Sequence, residues 1–260
     1  MARVSRDIRP AAVVMTATLS PPQLMPCGRR ADPALRLKDY LDAFDFYLGL
    51  SDQHVDRIIL LENSDADLSV FRWLANARHS KKKIQLLNTT SDYPAEKGKG
   101  YGEFLMLDRG LQKAVVGRTE PARHFWKITG RLKVLNLEEM IARAPMDYDI
   151  YCDLRDVPLI GEMLGGNQWM ELRVFSFSNF GYNKYIRGRY DLGVVLEKEL
   201  FRVLRQHLHE DGGGIIPRFN VQPELQGYCA CSNVSYQSFG YRSKGTLRKF
   251  SRAIFPQLWL

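Results

Sequence analysis

The stretch Ala11-Ala12-Val13-Val14-Met15-Thr16-Ala17-Thr18-Leu19 decides how the fold is read. It is a continuous apolar run that gives way to threonines and stops at Ser20-Pro21-Pro22. A strand wetted on one side alternates apolar and polar residues, whereas a strand buried on both faces reads as a continuous apolar run. The run therefore predicts a first strand inside a sheet covered by helices on both sides. It is shorter than the ~18 apolar residues of a membrane span. Its threonines and Ser-Pro-Pro ending also set it apart from a signal peptide.

The segments that follow repeat the pattern of strand and helix. Asp32-Pro33 reads as an N-cap followed by proline in the first helical turn. A helix then runs from Ala34 to Leu48, with Leu35, Leu37, Leu41, Phe44 and Leu48 as its apolar positions, and Gly49 closes it. Val55–Leu61 is a second strand ending in Glu62-Asn63-Ser64. Asp67 or Ser69 caps a second helix that ends at Ala77, and Lys83–Leu87 is the third strand. A loop over 88–100 carries Lys97-Gly98-Lys99-Gly100 and leads into a helix over Gly102–Val116. The fourth strand, Phe125–Leu135, is turned at Thr129-Gly130. A short helix, Leu137–Arg143, and a fifth strand, Tyr148–Leu154, complete the alternation, which argues for a mostly parallel α/β sheet flanked by helices.

The second half is less regular. Glu171–Ser178 alternates like an exposed or antiparallel strand, Val194–His209 is helical, and the stretches 217–226 and 228–236 are irregular or short-stranded. Lys244–Leu260 forms a basic amphipathic extension. No internal repeat or low-complexity linker interrupts the chain. The expectation is one domain over residues 1–240, with a first half over 11–156, a second over 157–240, and a tail over 241–260.

A net charge of +8 and a pI near 9.3 point to an anionic partner: a nucleotide, a nucleic acid or an acidic membrane. No helix-turn-helix, zinc-finger or RNA-recognition signature is present, so nucleic acid is not the expected partner. The four cysteines are Cys27, Cys152, Cys229 and Cys231. Cys229-Ala230-Cys231 is too tight for a usual zinc pair and no second pair completes a site, which predicts reduced thiols in a cytoplasmic protein.

In open parallel sheets ligands bind outside the carboxyl ends of the strands, and those ends carry a coherent set of residues here. Thr16 and Thr18 follow the first strand and suit the lining of a base pocket. Glu62 and Asn63 follow the second, with a carboxylate suited to a ribose hydroxyl or a base edge. Lys97 and Lys99 lie between glycines ahead of a helix opened by Tyr101 and Glu103, a setting that favours phosphate. In Trp126-Lys127-Ile128-Thr129-Gly130-Arg131 two cations bracket a glycine corner, and Lys127, Thr129, Gly130 and Arg131 suit a diphosphate. Neither a P-loop (GxxxxGK(S/T)) nor a GxGxxG turn is present.

The order Ile59-Leu60-Leu61-Glu62-Asn63-Ser64, then Lys97-Gly98-Lys99-Gly100-Tyr101-Gly102-Glu103, then Trp126 to Arg131, resembles bacterial GT-A-type glycosyltransferases of capsule and lipopolysaccharide gene clusters. The resemblance covers roughly residues 11–200, and Lys-Ile-Thr-Gly-Arg is its most specific part. It implies a GT-A-like (Rossmann-like) sheet, a nucleotide-sugar donor at the strand ends (a UDP-sugar first among candidates) and a glycan or lipid-linked acceptor held by the second half. It also implies that Glu62 is the acidic residue reading base or ribose.

The chain departs from that family in one respect. Most GT-A enzymes place an Asp-x-Asp after strand four, where it binds manganese or magnesium bridging the donor diphosphate; here Lys-Ile-Thr-Gly-Arg stands there. Asp153 and Asp156, after the fifth strand, are the substitute candidates for donor or metal, and Lys127 with Arg131 offers a metal-free way to offset the leaving charge. An inverting transfer needs a base, and Glu197 at the start of the late helix is expected to supply it, with Asp191 and Glu171 behind it. Arg173 is the expected contact to acceptor or phosphate. The basic, aromatic-ended tail suits the inner face of an anionic membrane. A nucleotidyltransferase, a non-catalytic nucleotide-binding subunit and a nucleic-acid-binding protein are the competing readings.

Overall fold

The computed structural model describes residues 9–21, 30–89, 92–114, 123–157, 167–191, 195–210, 214–229 and 232–241, together with residues 243, 245, 246 and 254. The run that opened the sequence is the interior strand β1 (Ala11–Ala17), with every residue buried. It pairs in parallel with β2 (Val55–Glu62) on one side and β4 (His124–Thr129) on the other, and β3 (Lys83–Asn88) extends the sheet beyond β2. β5 (Lys133–Val134) lies outside this sheet and pairs with β11 (Leu225–Gln226), and β7 (Leu154–Arg155) pairs with β8 (Trp169–Met170). β6 (Ile150–Tyr151), β9 (Val174–Ser178) and β10 (Ile215–Ile216) complete the seven-stranded order β10-β6-β9-β4-β1-β2-β3. Of the two expectations for β9 the antiparallel one holds: it is antiparallel to both of its neighbours, β4 and β6, and Val174 to Phe177 are buried, so it is not an exposed strand.

Side chains leave successive residues of a strand on opposite faces, and the two faces make two cores. Val13, Met15, Ile58, Leu60, Trp126 and Ile128 pack with Tyr40, Phe44 and Tyr47 of α1 (Pro33–Leu48) and Phe71 of α2 (Ser69–Ala77). Met140 of α4 (Leu137–Ala142) joins that layer. Ala12, Val14, Ile59, Leu61 and Phe125 pack with Phe104, Leu107 and Leu111 of α3 (Gly98–Lys113) on the other face. Beside them are Tyr182, which follows α5 (Asn179–Gly181) in a π-helical turn, and Leu200 and Leu204 of α6 (Leu196–Glu210). The result is a mixed α/β, mostly parallel sheet with helices on both faces.

Several boundaries differ from the sequence expectation, among them that of the fourth strand: β4 ends at Thr129, and the rest of the expected Phe125–Leu135 strand contains β5, which belongs to a separate two-stranded sheet. α3 starts at Gly98, not Gly102, because a 3-10 turn over Ala95–Lys97 runs into it through Gly98 at φ 77°, a left-handed value that favours glycine. Lys99 and Gly100 are thus helical rather than part of a loop. The fifth strand is two short pieces: β6 pairs with β9 and β10 in the main sheet, whereas β7 pairs with β8 in a separate one. Beyond residue 156, β9 and β10 complete the same sheet as β1 to β4. Cys152 is a free thiol, and burial pushes it well up, with Asp153 adding to it. Among the described residues no helix is long and apolar enough to cross a membrane. Of the tail, only Tyr241, Ser243, Gly245, Thr246 and Ile254 are described, so the expected membrane contact over 241–260 falls almost wholly outside the described residues.

Candidate functional site

β2 and β3 lie on one side of β1 and β4 on the other, so the sheet changes winding direction between β1 and β4. Ligands of open α/β sheets bind at the carboxyl ends beside such a switch. Thr16 and Thr129 face each other across it as register partners. The next residue, Gly130, donates its amide to the Thr16 carbonyl at 2.9 Å. A Cβ on Gly130 would stand 2.7 Å from that oxygen, so the glycine allows two backbones to meet. The sequence pointed to a close approach at this corner, and the partner in the structure is β1.

Lys127 alternates with Trp126 and Ile128 on β4 and points to the α3 side, between the rings of Phe104 and Phe175. Its side chain is fully buried. Burying an ammonium costs several kcal/mol unless a counter-charge and hydrogen bonds replace its water. Glu103 of α3 supplies the charge, with Oε1 2.7 Å from Lys127 Nζ. The Leu172 carbonyl accepts at 2.6 Å, and Thr129 Oγ1 lies 3.4 Å away. Thr16 Oγ1 donates to the same Oε1 of Glu103 at 2.6 Å. Burial alone would raise the Glu103 carboxyl, but Lys127, Thr16 and the more distant Arg131 hold it below its ordinary value. Lys127 is therefore occupied by Glu103 and does not stand open to a ligand anion as expected. Arg131 is half-buried and donates from Nε to the Tyr228 carbonyl at 3.2 Å.

Two further carboxylates share this end of the sheet. Glu171, just ahead of β9, is clamped by Arg173 on both oxygens, at 2.6 Å from Nε to Oε1 and closer from a terminal nitrogen to Oε2. Arg155 of β7 donates to Oε2 at 2.9 Å. Burial pushes the Glu171 carboxyl up, but Arg173 and Arg155 outweigh it and bring it down to about 2. Arg173, the expected contact to acceptor or phosphate, is thus committed to Glu171 and also lies 4.9 Å from the Tyr236 ring centroid. Glu197, in the first turn of α6, is half-buried and has no ion-pair partner among the described residues. Its carboxyl is raised, first by burial and then by the charges of Glu103 and Glu171, with Lys127 opposing. Gly100, beside Tyr101, packs on Leu196, beside Glu197.

The end of β2 is built differently from the expectation. Glu62 is fully buried. It accepts from the amides of Leu19 at 3.0 Å, Ser64 at 2.8 Å and Ala66 at 3.1 Å, and from the Ser64 hydroxyl. Its oxygens hold the loops after β1 and β2. Thr18 donates to Asn63 Oδ1 at 2.7 Å, so these two expected donor contacts bond to each other. Lys97 is exposed with its ammonium 5.4 Å from the Tyr101 ring centroid, and Lys99 is half-buried in the first turn of α3.

Asp153 is nearly fully buried, and Asp156 is ion-paired with Arg205. Among the described residues no group of three or more His, Cys, Asp or Glu side chains could hold a metal ion. No step below is routed through a metal. Asp191 closes a 3-10 turn, Arg189–Asp191. The site's central residue, Glu103, was legible in the sequence only as a helix opener. The signal for a partner was Lys127 itself, a lone cation inside a buried apolar strand that requires a counter-charge.

No protein-family model matches the chain, and no curated protein does. Among solved structures, the chain is similar to HddC from Yersinia pseudotuberculosis, at 14% identity and a TM-score of 0.41, over 92% of this chain and 99% of that one. It is also similar to a nucleoside-diphosphate-sugar pyrophosphorylase from Vibrio cholerae RC9, at 14% identity and a TM-score of 0.44, over 90% and 98% of the two chains. Likenesses at this level carry no argument about activity.

Proposed function

We propose that this chain is a GT-A-like, nucleotide-sugar-dependent glycosyltransferase acting in bacterial surface polysaccharide synthesis, with a glycan or lipid-linked acceptor. The observation that carries the proposal is the contrast between neighbouring carboxylates at the strand-end switch. Glu171 is held strongly acidic by two arginines, whereas Glu197 is raised and has no cationic partner among the described residues. Groups driven apart in this way divide the work of a site: one stays a fixed charge and the other keeps its proton to a higher pH than an ordinary glutamate.

In the inverting version of the reaction, the Glu197 carboxylate takes the proton of the acceptor hydroxyl. The hydroxyl oxygen bonds to the anomeric carbon as the bond from that carbon to the diphosphate oxygen breaks, and the electron pair leaves on the diphosphate. Arg131, at the corner after β4, is the cation assigned to that developing charge. Arg173 holds Glu171 in place, and Thr16, Thr129 and the Glu103–Lys127 pair form the floor between β1 and β4. The enzyme would work in the cytoplasm, with the tail over 241–260 on the inner face of the inner membrane.

The test is thermal shift of the full chain with UDP-, GDP-, CMP- and dTDP-sugars, with and without manganese, followed by nucleotide release in the presence of acceptor glycans. A bound donor raises the melting temperature by mass action. The proposal fails if none of these donors stabilises the protein or is consumed. A parallel assay with nucleoside triphosphates and sugar 1-phosphates reads pyrophosphate release. Turnover there alone makes the chain a nucleotidyltransferase.

A further inference from the structure

We propose that Glu103 grips a vicinal diol of the bound nucleotide-sugar and that Lys127 is its positioning residue. The proposal rests on the nucleotide-sugar reading above and assigns a role that Glu62 cannot fill. A carboxylate oxygen offers about two lone-pair directions. Both directions of Glu103 Oε1 are used, by Thr16 Oγ1 at 2.6 Å and Lys127 Nζ at 2.7 Å. Oε2 receives no hydrogen bond from any described residue, yet it is not among the buried polar atoms left without partners. It is therefore open to solvent, on a side chain that is 27% exposed.

The remaining capacity of Glu103 is thus two acceptor directions on one oxygen, at the β1–β4 switch where ligands bind. Two adjacent hydroxyls on one ring supply two donors at that spacing. Ribose carries such a pair, and so do most hexoses. Lys127 makes the grip strong in two ways. It keeps the carboxyl ionised, and a hydrogen bond to a charged acceptor is stronger than one to a neutral group. It also fixes the carboxyl group through Oε1, so little side-chain freedom is lost on binding. Glu171 has no such capacity, because Arg155 and Arg173 fill its oxygens, and Glu62 is filled by three amides and a hydroxyl.

The experiment is calorimetry on the full chain with UDP, GDP and CDP, their 2′,3′-dideoxy forms and the matching nucleotide-sugars. The variants are Glu103→Gln, Lys127→Met and the paired Glu103→Leu/Lys127→Met. Replacing both members of a buried pair by apolar residues is often tolerated, so the double variant keeps the test open if Glu103→Gln misfolds. If ribose is the diol, Glu103→Gln binds the parent diphosphate roughly ten- to a hundredfold more weakly and leaves the dideoxy form within about twofold. If the sugar is the diol, the diphosphates are unaffected and the nucleotide-sugar loses that factor. Lys127→Met reproduces the same selectivity loss, which a merely structural lysine would not. Equal weakening of parent and dideoxy ligands, or no weakening of any, overturns the assignment while leaving the nucleotide-sugar reading intact. Absence of nucleotide binding by the wild type overturns both.

Discussion

Gly130 donates its amide to the Thr16 carbonyl at 2.9 Å, and a methyl group at position 130 would stand 2.7 Å from the same oxygen. The corner that ends β4 is thereby pinned to the end of β1, and the floor of the site depends on that contact. Gly130→Ala must push the two strand ends apart. It is expected to cost about 1–3 kcal/mol of stability and to lower donor affinity with it, read by urea unfolding and thermal shift. A variant as stable as wild type would mean that the corner relaxes freely.

Glu62 separates a structural carboxylate from a ligand-reading one. Glu62→Ala leaves the amides of Leu19, Ser64 and Ala66 without their acceptor, and an expected loss of roughly 3 kcal/mol follows. Denaturant midpoints give the readout. A residue reading ribose would instead raise KM for the donor with little change in unfolding.

Glu197 sets the pH dependence. Its carboxyl is raised in the folded protein, and a base works only when deprotonated. Transfer activity should therefore rise with pH through an apparent pKa above that of an ordinary glutamate and level off beyond it. Glu197→Gln should lower kcat by about 10²–10⁴-fold and remove that limb from the profile. An acidic limb that persists in the variant would assign the base elsewhere.

Glu171 controls acid stability with the opposite sign. Its folded value of about 2 lies below that of an unfolded glutamate. The stabilisation it contributes is present above the unfolded value and is lost as pH falls from near 5 towards 2. Wild type should lose stability over that window, and Glu171→Gln should be less stable at neutral pH and show a flatter decline. Parallel curves for the two proteins in denaturant titrations at stepped pH would remove Glu171 from the account.

The sequence by itself determined the layered α/β class, the burial of β1 on both faces, the existence of β9 as a strand and the turn of the fourth strand at Thr129-Gly130. These follow from local patterns: continuous apolar runs, alternation, a capping aspartate before a proline, and a glycine where a strand stops. Only the tertiary structure decided which charges meet. Thr16 and Glu103 are 87 positions apart and share one hydrogen bond, and Lys127 reaches Glu103 because β4 lies beside β1 with α3 packed across both. For the same reason Glu62 and Arg173, both promising in the linear chain, are spent on backbone amides and on Glu171 respectively. Hydrophobic periodicity is a property of neighbours in sequence. The neutralisation of a buried charge depends on strand order and register, which bring together residues that no spacing in the chain connects.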